Sequence, residues 1–258
     1  MFEVDIDFAG VQSRGDRVRQ EDAQSFAAIE ENADGGIESL LLVLADGMGG
    51  EQAGLLASQT IVQTFVRHCL ELDLAILGNK VLLEAMDSAN QALADLVLES
   101  PGLEGMGATL VAVLLENGVM HYVSVGDSLL YLYRDNRLVR LNEDHSMLPV
   151  LNAEFQKGEW SAEELENHPE RHLLRSAIIG SDIELVDCPK HGWEMKRGDI
   201  LIVASDGIET LSEEDILACL EKNAGETAER MAESLLGEVL AIQKPRQDNT
   251  SINVIQIP

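Results

Sequence analysis

Leu40-Leu41-Leu42-Val43-Leu44-Ala45-Asp46-Gly47-Met48-Gly49-Gly50 is the stretch on which the reading of this chain turns. Its unbroken apolar run, followed at once by a turn, predicts a strand buried on both faces that ends in a glycine-rich loop. Asp46 then stands at a strand mouth. The glycines allow a sharp turn and let a backbone carbonyl approach whatever Asp46 holds. A carboxylate beside a free carbonyl suits a hard cation. Asp-Gly is also an ordinary strand-ending turn. The balance moves toward an ion because Leu201-Ile202-Val203-Ala204-Ser205-Asp206-Gly207 repeats the grammar of apolar strand, small residue and Asp-Gly. Two such mouths can build one site.

Upstream, Phe2, Val4, Ile6 and Phe8 alternate with acidic residues, which predicts a half-buried strand over 2–12. A short strand at 24–29 and a polar loop through Gly35-Gly36 follow. Downstream, helical spacing of Ala53, Leu56, Ala57, Ile61, Phe65 and Cys69 predicts a helix over 52–72. Leu82, Ala85, Met86, Ala89 and Leu93 predict a second over 80–98, stopped by Pro101-Gly102. Residues 109–115, 119–125, 129–133 and 138–141 read as strands joined by turns that include Asn117-Gly118 and Asp135-Asn136. Asn-Gly between apolar runs implies antiparallel pairing. Residues 142–181 are polar and irregular, and a connection this long is functional or mobile. Strands at 184–188 and 200–204, a helix over 226–242 and a last strand at 251–257 complete an α+β layered fold.

Hydrophobic residues make up 45% of the 258, and no Pro-, Ser- or Gln-rich linker interrupts them, so a single domain over 1–258 is expected. The formal charge of −28 repels nucleic acid and anionic membrane surfaces. Within so acidic a chain, Arg14, Arg17 and Arg19 cluster within six residues, either to receive an anion or as a solvated loop. Cys69, Cys188 and Cys219 form no CxxC pair, which argues against a disulfide framework or a thiolate zinc site. The N-terminus is acidic, and no apolar run approaches the ~20 residues of a membrane span, so a cytoplasmic protein is expected.

Arg17-x-x-x-Glu21-Asp22, Asp46-Gly47-x-Gly49-Gly50, Gly107-x-Thr109, Val125-Gly126-Asp127-Ser128, Asp144-His145-Ser146, Ala204-Ser205-Asp206-Gly207 and Asp248-Asn249-Thr250 occur in this order. The ordered set resembles the motifs of the metal-dependent protein Ser/Thr phosphatases of type 2C, the PPM family, from about residue 10 to the last strand. Each motif alone is weak, and the order is what makes the match specific.

The resemblance implies a four-layer α-β-β-α sandwich with two central, mainly antiparallel sheets and a dinuclear Mn2+ or Mg2+ site at one edge. It implies that Asp46 bridges the two ions, that the Gly47 carbonyl meets one, and that Asp206 and Asp248 bind the other. Glu21 and Asp22 would support the site directly or through water. Arg17 holds the position of the family's phosphate-binding arginine, whereas Arg14 and Arg19 are expected to be exposed. Asp127 has two readings: a ligand of a third, looser ion together with Asp206, or a turn aspartate bonding its own backbone. Residues 149–180 fall where the family has a variable flap beside the active site, and Trp160 either anchors that flap or contacts a partner.

The implied chemistry is hydrolysis of phosphoserine and phosphothreonine on proteins, the products of a Ser/Thr kinase, by a water activated between two cations. One departure matters: several eukaryotic members carry His after the first Asp-Gly, and Met48 here has no proton to donate, as in many bacterial members. His145, His168 and His172 are candidate proton donors by residue type alone. A catalytically silent phosphoprotein binder or scaffold is the alternative, and a divalent-ion binder without hydrolysis a third reading. Clustered carboxylates that repel one another without a cation weigh against the scaffold, and Arg17 goes unexplained in the ion binder.

Overall fold

In the computed structural model, which describes residues 1–50, 52–71, 78–158, 160–166 and 168–258, the decisive run becomes the strand Ile37–Ala45, buried from Ser39 to its end. Successive side chains of a strand point to opposite faces, so the run is shared between two layers. Leu41, Val43 and Ala45 pack beneath helices, while Leu40, Leu42 and Leu44 pack against a second sheet.

The strands in chain order are β1 (Phe8–Ser13), β2 (Ala23–Glu31), β3 (Ile37–Ala45), β4 (Gly47–Met48), β5 (Gly107–Ala108), β6 (Leu110–Glu116), β7 (Val119–Val125), β8 (Leu129–Arg134), β9 (Arg137–Arg140), β10 (Trp193–Glu194), β11 (Ile200–Ala204) and β12 (Thr250–Gln256). The helices are α1 (Ala53–Glu71), α2 (Asn79–Glu99), α3 (Leu148–Gln156), α4 (Ala162–Glu166), α5 (Glu213–Lys222) and α6 (Ala228–Ala241). Among the described residues, one five-stranded sheet runs β10-β7-β6-β3-β2, a second runs β1-β12-β11-β8-β9, and β4 pairs with β5. Every ladder is antiparallel.

Helices α1 and α2 cover the outer face of the first sheet, and α5 and α6 that of the second. The inner faces meet through Leu42, Val113, Met120, Leu130, Leu201 and Val203. This is the α-β-β-α sandwich expected. The two hairpin turns also form as read: Asn117 and Gly118 have φ of 50° and 74°, and Asp135 and Asn136 have 53° and 59°. Two consecutive left-handed residues match the twist of the flanking strands.

Elsewhere the structure departs from expectation. Residues 2–7 form only the isolated bridges Phe2 to Ile37 and Val4 to Phe8, because the chain turns at Asp5 (φ 64°) and the alternation runs through that turn. Around 184–188 only Asp187 is bridged, to Ser124. The same edge of β7 is taken by the unforeseen β10, which pairs with Met120 and Val119. The irregular stretch 142–181 contains α3, which Pro149 opens from its first turn, and the short α4. Trp160 donates from Nε1 to Glu154 of α3 at 2.9 Å and stacks edge-on against His168 at 5.0 Å, so it anchors the segment internally. Helix α5 was not anticipated; Ser212 and Asp215 cap it reciprocally. The last residue of the helix expected at 52–72, Leu72, lies outside the described residues.

Leu42→Ala removes a side chain with no exposed surface from between the sheets and should cost about 2–5 kcal/mol. Leu98→Ala, at a position 78% exposed, should stay within about 0.5 kcal/mol. Urea unfolding of both variants checks the contrast.

Candidate active site

The chain passes between the sheets at one rim, and the chemically distinctive residues stand there. Residues 14–22 lead from β1 in one sheet to β2 in the other, and Gly126-Asp127-Ser128 leads from β7 to β8. Asp46 follows β3, Asp206 follows β11 after Ser205, and Asp248 precedes β12. Arg17, Glu21, Asp46, Gly47, Asp127, Asp206 and Asp248 thereby line one cleft of about 900 Å³. Its far wall is the segment from His172 to Glu184. Among the described residues Arg14 and Arg19 do not line it.

Asp46 is fixed through its backbone. Its N–H donates to Thr109 Oγ1 at 3.0 Å, and its carbonyl accepts from Thr109 N at 2.9 Å. Thr109 Oγ1 also shares a 2.8 Å hydrogen bond with Ser128 Oγ, joining the Asp46 mouth to the turn that carries Asp127. Gly126 makes that turn at φ 103°, and a Cβ there would sit 2.6 Å from Thr109 Cγ2. Gly47 is wedged more tightly still: its Cβ would lie 2.3 Å from the Gly54 carbonyl oxygen and 2.5 Å from that of Glu21. The start of α1 and the Glu21 backbone thus close directly on the Asp-Gly loop.

Asn249 organises the arginine loop. Its Oδ1 accepts from Glu21 N at 2.8 Å, and its Nδ2 donates to the carbonyls of Arg14 and Arg19, both at 2.9 Å. Asp22 stands behind the cleft, 3% exposed. Its Oδ2 accepts from Ser205 Oγ at 2.8 Å and Ser251 Oγ at 2.6 Å, and its Oδ1 is buried without a hydrogen-bond partner. Arg17 donates from Nη2 to Asp248 Oδ2 at 2.5 Å, and that contact leads the causes that raise its pKa.

Burial is the first cause that pushes the Asp46 carboxyl well above the usual range, followed by Asp22, Asp206, Asp127 and Asp248 facing it. Asp206 is raised the same way, by burial and then by Asp127, Asp248 and Glu209. Asp22 is raised by burial. Asp127 is pushed up to about 7, by burial and then by Asp144 and Glu209, while its backbone carbonyl accepts from Arg140 at 2.9 Å. Glu209, which the sequence analysis did not single out, is itself raised by burial.

This donor set fits a hard divalent cation. Every candidate ligand is oxygen, the Asp22 Oδ1 acceptor is orphaned, and the carboxyls are held against their own repulsion in a form that a cation would relieve. Among the described residues no three His, Cys, Asp or Glu side chains already close on one metal-sized point, and Asp248 is engaged by Arg17.

A sequence model described as Protein phosphatase 2C matches residues 18–241. The chain belongs to the protein phosphatase 2C family. It is 34% identical over 222 residues to the serine/threonine protein phosphatase PstP of Mycobacterium tuberculosis, covering 84% of this chain and 40% of that protein. The crystal structure of the Mycobacterium tuberculosis serine/threonine phosphatase PstP/Ppp matches with a TM-score of 0.78 at 30% identity, over 97% of each chain. The catalytic domain of PstP in complex with two manganese ions matches with a TM-score of 0.75 at 29% identity, over 97% of this chain and 98% of that one. The chain therefore spans two fifths of the curated mycobacterial relative's length.

For this protein phosphatase 2C family member, seven of the eight residues singled out from the sequence share one cleft, with Asp22 directly behind it. Asn249, Ser205, Ser251 and Thr109 have tasks that depend on partners far away in the chain and cannot be read from their own stretches of sequence. Of the three histidines, His145 is buried and accepts from Gly126 N at 3.2 Å, His168 packs on Trp160, and His172 lines the cleft.

The raised carboxyls carry a pH signature. Each keeps its proton in the folded state at pH values where the unfolded chain has lost it, so without divalent cation stability should fall as pH rises from about 4, the ordinary carboxylate value. The fall should extend at least to about 7, the value to which Asp127 is pushed. Mn2+ binding should release protons and flatten that decline. Calorimetry in buffers of different ionisation enthalpy, with thermal melts across pH, measures both effects.

Proposed function

We propose that the chain is one metal-dependent phosphatase domain that hydrolyses phosphoserine and phosphothreonine on proteins. The observation that carries this reading is the convergence of Asp46, Asp127, Asp206, Asp248 and Glu21 on one cleft with Arg17 at its edge. Relatives named serine/threonine phosphatases, one of them solved with two manganese ions, support it. In this reading Asp46 and the Gly47 carbonyl would hold one ion, and Asp46, Asp206 and Asp248 would hold the other. Glu21 and Asp22 would back them, and the half-buried Asp127 would take a third ion together with Asp206. Mn2+ or Mg2+ suits these ligands equally well by chemistry.

A pair of such cations supplies an acidified water as nucleophile and neutralises phosphoryl charge. The chain's own residues do the rest. The Arg17 guanidinium offers two parallel N–H donors to phosphoryl oxygens, and binding a phosphate exchanges its partner from the Asp248 carboxylate to another oxyanion. Thr109 and Asn249 keep Asp46 and the arginine loop in register. The flap over 149–180 shapes access, its wall from His172 to Ile179 lining the cleft. Met48 gives the leaving oxygen no proton. Substrates would be phosphoproteins made by a Ser/Thr kinase, encountered in the cytoplasm; among the described residues no helix is long and apolar enough to cross a membrane. A scaffold role gains no support from buried, mutually repelling carboxylates.

Purified protein should release phosphate from p-nitrophenyl phosphate and from a phosphothreonine peptide with Mn2+ and lose that activity in chelator. Asp46→Ala or Asp206→Ala should lower turnover by orders of magnitude. Metal-loaded protein inert toward both substrates would hand the cleft to the scaffold reading. Separately, Arg17→Ala should raise the inhibition constant of free phosphate; an unchanged constant removes Arg17 from phosphate binding.

A further inference from the structure

The cleft also carries an apolar shelf for which cleavage of a phosphate ester has no use. Met48 follows Gly47 directly and faces Gly107 across the β4–β5 ladder. On the other side of β5, Ala108 and Ile178 exchange both backbone hydrogen bonds, at 3.0 and 2.9 Å, so the end of the flap segment adds a third rung. Gly107, in the middle, has no side chain. The point where its Cβ would stand lies 2.6 Å from Ile179 Cγ2 and 2.9 Å from Met48 Cε. The two side chains therefore converge over the glycine from opposite sides, one from the Asp46 loop and one from the flap.

This pair is not core. Ile179 is 42% exposed, and Leu173 and Val18, which line the same cleft, are 55% and 72% exposed. Apolar surface left wet inside a concave site rich in carboxylates is what a nonpolar group of a ligand would cover. The charges on that wall point the same way. Asp182 and Glu184 line it against the single cation Arg175, so an acidic flank would meet like charge. Consecutive Cα atoms of a peptide are about 3.8 Å apart. Met48 is the residue directly after Gly47, so the shelf adjoins the part of the cleft where a phosphoryl group held at Asp46 and Gly47 would sit.

We propose that Met48 and Ile179 form a subsite for an apolar side chain next to the phosphorylated Ser or Thr, so that protein substrates are selected by a hydrophobic neighbour and not by acidic ones. The proposal rests on reading the cleft as a phosphatase site. It gives Met48, which has no proton to contribute to the chemistry, a task in recognition.

The test compares kcat/KM with Mn2+ for phosphothreonine peptides of one length whose two neighbouring residues are leucine, serine or glutamate. The leucine peptide should exceed the serine peptide by about tenfold or more, with the glutamate peptide lowest. Ile179→Ser and Met48→Gln should each bring the leucine-to-serine ratio down to about twofold or less, while Ile179→Leu keeps it. A ratio, unlike a rate, is not moved by a loss of folded enzyme common to both peptides. Equal kcat/KM for the three peptides in the wild-type protein, or a ratio unchanged in both polar variants, overturns the subsite while leaving the phosphatase reading intact. Failure to turn over p-nitrophenyl phosphate as well as every peptide would overturn both.

Discussion

Carboxylates crowded into a cleft without a cation repel one another, and burial removes the water that would soften that repulsion. Asp46, Asp206 and Asp127 all bear the mark of this, each with its charged form disfavoured first by burial and then by acidic neighbours. A loose scaffold would let them part. What holds them is backbone: Asp46 by both of its peptide groups on Thr109, Gly47 between the carbonyls of Gly54 and Glu21, and the Glu21 N–H on Asn249. Polar side chains act here as braces for the main chain, while two serines hold Asp22 and Arg17 holds Asp248.

The architecture supplies the meeting place. Two stacked sheets are joined at one rim by the passages from β1 to β2 and from β7 to β8, and the strand ends beside those passages belong to both sheets. Asp46 comes from one sheet and Asp206 and Asp248 from the other. A site assembled between sheets is as rigid as their contact, which here is the apolar layer of Leu42, Val113, Leu130 and Val203. The alternation that divides β3 between helix layer and sheet layer therefore fixes, within a residue, where Asp46 emerges.

That much was legible in the sequence because it rests on local rules. The apolar runs before Asp46 and Asp206 mark buried strands, Asn117-Gly118 marks a hairpin, and helical spacing marks α1, α2 and α6. Other features depend on tertiary partners and leave no local trace. Nothing near Asn249 announces that it ties down Arg14, Arg19 and Glu21, and Glu209 sits in a short turn just past the Asp206-Gly207 motif. The strand expected at 184–188 keeps only the Asp187 bridge to Ser124, and β10 pairs further along the same edge of β7, a sharing that no single segment reveals. Alternation over residues 2–7 gave the opposite error, since a left-handed Asp5 breaks the strand without disturbing the pattern of polar and apolar residues.

The pairing of Arg17 with Asp248 connects the cluster to the ligand it is proposed to receive. Both side chains are well exposed, 59% and 36%, and an exposed ion pair is worth only about 0–1 kcal/mol. A phosphate dianion competes easily for such an arginine, since it offers the same charge-assisted, two-oxygen geometry with more charge. In the proposed reading, an Arg17 turned to phosphate would release Asp248 for a metal ion, so that phosphate binding and ion binding would reinforce each other through one side chain. The net charge of −28 opposes phosphate at a distance, but at physiological ionic strength fields of exposed charges fade over about 8 Å. Discrimination would then fall to groups in contact with the substrate: in the proposed reading, the guanidinium for the phosphoryl group and the apolar shelf beside it for what lies next in the chain.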